Sequence, residues 1–204
     1  EFKDDNGKLK TFDFAVANPP FSTKSWSNGL DVNNDPYERF TGFGIPPAKN
    51  GDYAFLLHFI KSLKSGKGKG AIILPHGVLF RGNAEAEIRK KIIKRGYIKG
   101  IVGLPANLFY GTSIPACIIV IDKENAETHK GIFMIDACKG YIKDGNKNRL
   151  REQDIRKIVD VFNNQLEIPK YSRMVPISEI EKNEYNLNIP RYIDTQEEED
   201  IQDI

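Results

Sequence analysis

Two apolar runs constrain this chain more than any other feature: 71–74 (Ala-Ile-Ile-Leu) and 116–121 (Ala-Cys-Ile-Ile-Val-Ile). Both are far too short to cross a bilayer. Strands this uniformly apolar are buried on both faces, and a sheet of such strands needs a helix layer on each side. The neighbouring segments supply those layers. Over 52–65, Phe55, Leu56, Phe59, Ile60 and Leu63 fall on one face of a helix, with Asp52 either its N-cap or an early anion at the helix dipole. Asn83 can cap a second helix that runs to about residue 95 and stops at Gly96. Further strands read at 98–104, 113–122 and 131–136. Strand–helix alternation of this kind is the grammar of an α/β doubly wound sheet. The last strands follow one another without a long helix, which predicts an antiparallel edge pair.

The ends are less regular. Residues 1–18 predict a hairpin on Asp5-Asn6-Gly7 that leads into a buried strand, where Phe12, Phe14 and Val16 alternate. Residues 22–51 form a long Gly/Pro/Asn-rich connection without periodicity, and such loops are usually functional or disordered. A helix over 150–164 sets Ile155, Ile158, Val159 and Phe162 on one side. Beyond it the chain reads as an extended tail with a short helix near 178–181 and an acidic, frayed end at 195–204.

Several chemistries are disfavoured. Gly66-Lys67-Gly68-Lys69-Gly70 matches the start of a dinucleotide fingerprint, but such a loop must follow a strand and open a helix, and here the order is reversed. His58, His76 and His129 lack metal-ligand spacing, so no metal site is expected. Cys117 and Cys138 form no CxxC pair and read as reduced, packed thiols. A net charge of +2 is low for a protein that grips a duplex alone, so any nucleic-acid grip would be shared with another subunit. The basic run Arg89, Lys90, Lys91, Lys94 and Arg95 is either the solvated face of a core-packed helix or a phosphate-facing surface.

The chemically loaded stretch is Asn18-Pro19-Pro20-Phe21, which ends the first strand. In open α/β sheets, ligands bind beyond the carboxyl ends of the strands. The residue before a proline is held in extended geometry, which limits where Asn18 can sit. Pro19 has no N–H, so its carbonyl is offered without a local competing donor. After this rigid elbow, Phe21 is better placed to stack on a planar ligand than to reach a core. An aryl amine such as the 6-amino group of adenine is a poor nucleophile because its lone pair is delocalised into the ring. Two acceptors, the Asn18 amide oxygen and the Pro19 carbonyl, would each take one of its N–H groups and leave the lone pair aimed at an electrophile.

Asn18-Pro19-Pro20-Phe21 resembles motif IV of the S-adenosylmethionine-dependent amino-methyltransferases. The stretches AIILPHGVLFRGNAEAEIRKKII, GIVGLPANLFYGTSIPACIIVIDK, KNRLREQDIRKIVDVF and YNLNIPRYI resemble the methylation (M) subunit of type I restriction-modification systems, from before Asn18 to about Ile193. The resemblance implies an N6-adenine DNA methyltransferase. Its fold would be part of a Rossmann-like S-adenosylmethionine-dependent methyltransferase sheet, α/β and mostly parallel with an antiparallel edge pair, plus a C-terminal helix and extended tail. Residues 1–147 would be the target-base-binding half of the catalytic domain, and 148–204 the C-terminal helix and tail. Asn18, Pro19, Pro20 and Phe21 would be catalytic. Phe21 and Phe109 would hold the flipped base. Pro20 would shape the pocket beside the cofactor S-adenosyl-L-methionine. His76 and Arg81 lie in a loop the family shares, with no chemical role assigned. The implied partners are double-stranded DNA, a specificity (S) subunit, a second M subunit and a restriction (R) subunit in the cytoplasm, with no membrane.

A protein-glutamine methyltransferase, which also uses an NPP-aromatic motif, is the rival enzyme; the long 22–51 loop and the family-like tail argue against it. A non-catalytic assembly module or truncated remnant is the other alternative. The chain opens without methionine, and the family's glycine-rich cofactor loop and ribose-binding acid, which lie upstream of the NPPF strand, are not among its residues. The expectation is a fragment, inactive by itself. The 204-residue chain should then bind S-adenosylmethionine weakly or not at all, and isothermal titration giving a tight one-to-one complex would overturn that.

Overall fold

The computed structural model describes residues 3–194. The acidic end at 195–204 lies outside the described residues. The elements are β1 (Phe14–Ala17), α1 (Asp52–Lys61), β2 (Lys69–Pro75), α2 (Ala84–Lys94), β3 (Ile98–Gly103), β4 (Ala116–Asp122), β5 (Gly131–Asp136), β6 (Ile142–Asp144), β7 (Lys147–Arg149), α3 (Glu152–Asn164), β8 (Ser172–Pro176) and α4 (Ile177–Lys182). Six strands form one sheet in the order β1-β2-β4-β3-β5-β8, and β6 and β7 form a separate hairpin. β1 pairs with β2 and β3 with β5 in parallel, while β4 runs against both β2 and β3. Thus β1, β2, β3 and β5 all point one way, and the antiparallel edge pair is β5 with β8. β4 is a second reversed strand, set inside the sheet. Its apolar residues need cover on two faces, and an interior place also satisfies its backbone on both sides.

The period-2 alternation of the inner strands divides the core between two faces. Ile72, Leu74, Ile101, Cys117, Ile119, Ile132 and Met134 point to the layer that holds α1 and α2. Ile73, Val102, Ala116, Ile118, Phe133 and Ile135 point to the opposite layer, where Phe162 of α3 meets Phe133 edge-on at 6.0 Å. The helix α3 turns Ile158, Val161 and Phe162 inward, whereas Ile155 and Val159 are exposed, so its apolar face is only partly used.

Three expectations are corrected. The first strand is not buried: Phe14 and Val16 are 78% and 87% exposed, and Ala15 and Ala17 are the residues that meet the core. This follows from position, because β1 is an edge strand and α3 covers the sheet's second face only near β3 and β5. The region after α3 is not an extended tail. β8 joins the sheet, and Leu187, Ile189, Tyr192 and Ile193 are buried in the main core. Nor is 22–51 unstructured. Phe40 and Phe43 are buried, and Trp26, Leu30 and Val32 pack beside them, with the Trp26 indole donating to the Pro47 carbonyl at 2.8 Å.

The local signals for helix ends fare unevenly. Gly51 is the N-cap of α1, which makes Asp52 its first helical residue and an anion at the positive end of the dipole. Asn83 occupies the N-cap position of α2, but its side chain makes no capping bond. Gly96 follows α2 at φ +69°, and a methyl group there would come within 1.9 Å of the Ala126 carbonyl oxygen, so only glycine fits. The Asp5-Asn6-Gly7 turn is present, closed by the Lys3–Leu9 bridge.

Ile72→Ala should cost about 2–5 kcal/mol, as large-to-small changes at fully packed sites do, whereas Phe14→Ser should stay within about 0.5 kcal/mol of the parent. Urea unfolding of the two variants would test the assignment of faces.

Candidate functional site

β1 delivers Asn18-Pro19-Pro20-Phe21 to the carboxyl end of the sheet. Asn18 and Pro20 are exposed, and Pro19 and Phe21 are half-buried. Phe21 turns toward the sheet's second face, among Leu108, Phe109 and Ile118. Its ring meets that of Phe109 edge-on, with centroids 5.4 Å apart and planes at 69°, a favourable aromatic geometry. Residues 88 positions apart in sequence therefore meet, because the loops after the parallel strands β1 and β3 open on the same edge of the sheet. Tyr110, adjacent to Phe109, points away and is 94% exposed.

The backbone after Phe21 is pinned by a buried carboxylate. Asp52 has no exposed surface, yet its Oδ1 accepts the Ser22 amide at 2.7 Å and its Oδ2 accepts the Arg81 guanidinium at 2.6 Å. Ser22 itself sits at φ +50°, a conformation that needs such a restraint. Arg81 also pairs with the buried Glu85. Burial works against the charge on Arg81, but Glu85 and Asp52 outweigh it and raise the guanidinium pKa above its ordinary value. Arg89, 3% exposed, donates to the carbonyls of Tyr185, Arg81 and Val78. The Tyr53 hydroxyl adds a bond to Val78 at 2.6 Å, and burial drives that phenol well above its usual pKa.

This network revises the reading of the basic residues. Arg81 is a structural cation, and Arg89 belongs to neither a solvated face nor a phosphate-facing one. Lys91 and Arg95 donate to the Phe43 and Gly42 carbonyls and so fasten the 22–51 loop to α2. A charged or polar residue on a helix is visible in sequence; a partner 29 residues away, as Arg81 is for Asp52, is not.

His76 follows β2, with its backbone N–H on the Pro115 carbonyl. Its imidazole is mostly buried, and Nε2 has no hydrogen-bond partner among the described residues. Desolvation lowers its pKa below the ordinary imidazole value, against the opposing pull of Asp136 and a backbone hydrogen bond with Ala116. Cys117 is fully buried and Cys138 half-buried; desolvation and Asp136 push the Cys138 thiol up to about 12, which keeps it protonated and unreactive. The Gly66–Gly70 stretch follows α1 and runs into β2, with Lys69 and Gly70 already in the strand, so it opens no helix whose first amides could face a phosphate.

A sheet of this order, with the elbow at a strand's carboxyl end, is shared with a methyltransferase subunit of known structure. The N-6 DNA Methylase family model matches residues 1–201, and the chain belongs to that family. The methylase subunit of the type I restriction enzyme MjaVII of Methanocaldococcus jannaschii is 36% identical over 201 residues, covering 93% of this chain and 34% of that protein. The MpnII methylase subunit of Mycoplasma pneumoniae is 33% identical, covering 95% of this chain and 35% of that protein. The crystal structure of a type I restriction-modification methyltransferase subunit from Streptococcus thermophilus superimposes with a TM-score of 0.82 at 40% identity, over 92% of this chain and 39% of that one. The chain thus spans about a third of the length of these two methylase subunits.

Arg81→Met would leave the Asp52 carboxylate buried without its cation, and a loss of about 3–5 kcal/mol is expected. Asp52→Asn in the same background should recover part of it. Urea unfolding followed by the fluorescence of Trp26, the only tryptophan, measures both.

Proposed function

We propose that this chain is the target-base-holding part of a type I restriction-modification methylase subunit, which transfers a methyl group to N6 of an adenine turned out of duplex DNA. The observation that carries the reading is the exposed Asn18-Pro19-Pro20-Phe21 elbow at the end of β1, with Phe21 against Phe109. The names of the relatives support the same activity. In this reading the Asn18 Oδ1 and the Pro19 carbonyl each accept one N–H of the 6-amino group, drawing its lone pair out of the ring plane. Phe21 stacks on the base and Phe109 closes the pocket as a second wall. The two rings touch in the free chain, which leaves no room for a third ring between them, so an entering base parts them.

S-adenosyl-L-methionine would supply the electrophilic methyl carbon. The exposed pyrrolidine of Pro20, at a strand end where such sheets take ligands, fits one wall of its site. Among the described residues no short glycine-rich turn leads directly from a strand into a helix, and the long 22–51 connection between β1 and α1 is packed on the core through Phe40 and Phe43, so the rest of that cradle is proposed to come from other parts of the methylase subunit. Functionally, residues 1–147 would hold the base, and 148–204 would brace the sheet through α3 and β8. The near-neutral net charge supports shared DNA binding, with a specificity subunit, a second M subunit and a restriction subunit as partners in the cytoplasm. Among the described residues, no helix is long and apolar enough to cross a membrane.

In the complete methylase subunit assembled with its specificity subunit, Asn18→Ala is expected to lower kcat for an unmethylated duplex about 100- to 1,000-fold, the usual cost of one preorganised electrostatic partner. Phe21→Ala should weaken productive base binding by about 1–3 kcal/mol. Radiolabel appearing in glutamine side chains of a protein substrate, with none in DNA, would favour the rival activity. Intact assembly without transfer from the parent enzyme would favour a structural module.

A further inference from the structure

The hairpin β6–β7 lies outside the main sheet. It is closed by the two-residue loop Gly145-Asn146, with Gly145 at φ +57°. The hairpin leans on the 104–115 connection between β3 and β4, the segment that carries Phe109. Asn148 donates its backbone N–H to the Asn107 carbonyl at 3.0 Å and its Nδ2 to the Ala106 carbonyl at 2.7 Å. In return, the Asn107 Nδ2 donates to the Asn146 carbonyl at 2.6 Å.

At the centre is Lys147. Its Nζ donates to Asn107 Oδ1 at 3.0 Å, to the Phe109 carbonyl at 2.7 Å and to the Thr112 carbonyl at 3.0 Å. An ammonium has three N–H donors, and here each has one acceptor. Asp144, opposite Lys147 in the hairpin register, is engaged by Arg149 at 2.9 Å, so the ammonium is committed to the loop. The loop also contains Asn107 at φ +59°, a conformation that costs a non-glycine residue and so benefits from a tie, and Gly111 at φ +77°, which glycine adopts freely.

We propose that Lys147 is a positioning residue for the target-base pocket: its ammonium staples the 107–112 backbone, so that Phe109 stands opposite Phe21 while the Phe109 ring remains free to swing. The inference rests on the base-pocket reading above. The three acceptors span both sides of Phe109, so removing the ammonium releases the backbone at the wall without touching the wall itself.

The test uses the complete methylase subunit with its specificity subunit and a duplex carrying 2-aminopurine at the target adenine. Lys147→Met is expected to leave duplex affinity within about twofold and to reduce the 2-aminopurine fluorescence rise. It should lower kcat roughly 10- to 100-fold, the scale of a small misplacement of a positioning group. Lys147→Gln, which keeps an amide donor, should fall between Met and the parent and serves as the second variant should Met fold poorly. Aminoethylation of Lys147→Cys restores an ammonium of nearly the same reach and should restore flipping and kcat. In a Phe109→Ala background, Lys147→Met should add little, within about twofold, because the group it positions is gone. An unchanged kcat and fluorescence rise in Lys147→Met, or an equal loss in the Phe109→Ala background, would overturn the proposal. If Asn18→Ala and Phe109→Ala both leave transfer intact, the base-pocket reading fails and this inference with it. If those two abolish transfer and Lys147→Met does not, this inference alone fails.

Discussion

The arrangement of the site depends on one buried charge. Asp52 has no contact with water, and it is tolerable there only because Arg81 and the Ser22 amide supply its partners at close range. Those bonds join the residue after Phe21, the first turn of α1 and the turn after β2, and Arg81 extends the tie to α2 through Glu85. The elbow after β1 is stiffened from within by Pro19 and Pro20 and anchored from outside by this carboxylate. Either alone would leave Phe21 with more freedom: the prolines restrict φ but do not choose where the chain goes next.

The backbones that carry the two aromatic rings are held by different devices on different loops. The Phe21 side is fixed by charges buried beneath the α1–α2 layer, and the Phe109 side by the ammonium of a satellite hairpin. Between them, the inner strands β2, β4, β3 and β5 form a platform packed on both faces. A platform of that kind has low compressibility and gives the loops at its carboxyl edge a fixed base. The same platform stops short at β1, whose outward side chains Phe14 and Val16 remain uncovered.

Much of this was legible in the residues. The helices over 52–61 and 84–94 and the strands over 98–103, 116–122 and 131–136 follow from periodicity and apolar runs, because those patterns record which faces are buried. The elbow was legible because proline and asparagine act locally, through φ and through the missing N–H. The apolar alternation at Phe12, Phe14 and Val16 misled, since alternation marks two unlike faces without saying which one is covered. The 22–51 loop and the segment after α3 misled for a related reason: their buried residues, Trp26, Phe40, Phe43, Leu187 and Ile193, are spaced irregularly and find the core through turns, not through a period.

That Phe109 belongs beside Phe21 came only from the family resemblance; by itself the sequence determined the layered α/β class and the rigid elbow that ends in Phe21. Each of these is a property of a few neighbouring residues, set by sterics and by the period of a strand or helix. Only the tertiary structure decided that β4 enters between β2 and β3, that Arg81 serves Asp52, and that Lys147 closes around the loop of Phe109. Those are pairings between distant segments. A buried carboxylate or an ammonium selects its partner by which groups the packed sheet brings within about 3 Å, and that distance is written in the fold as a whole.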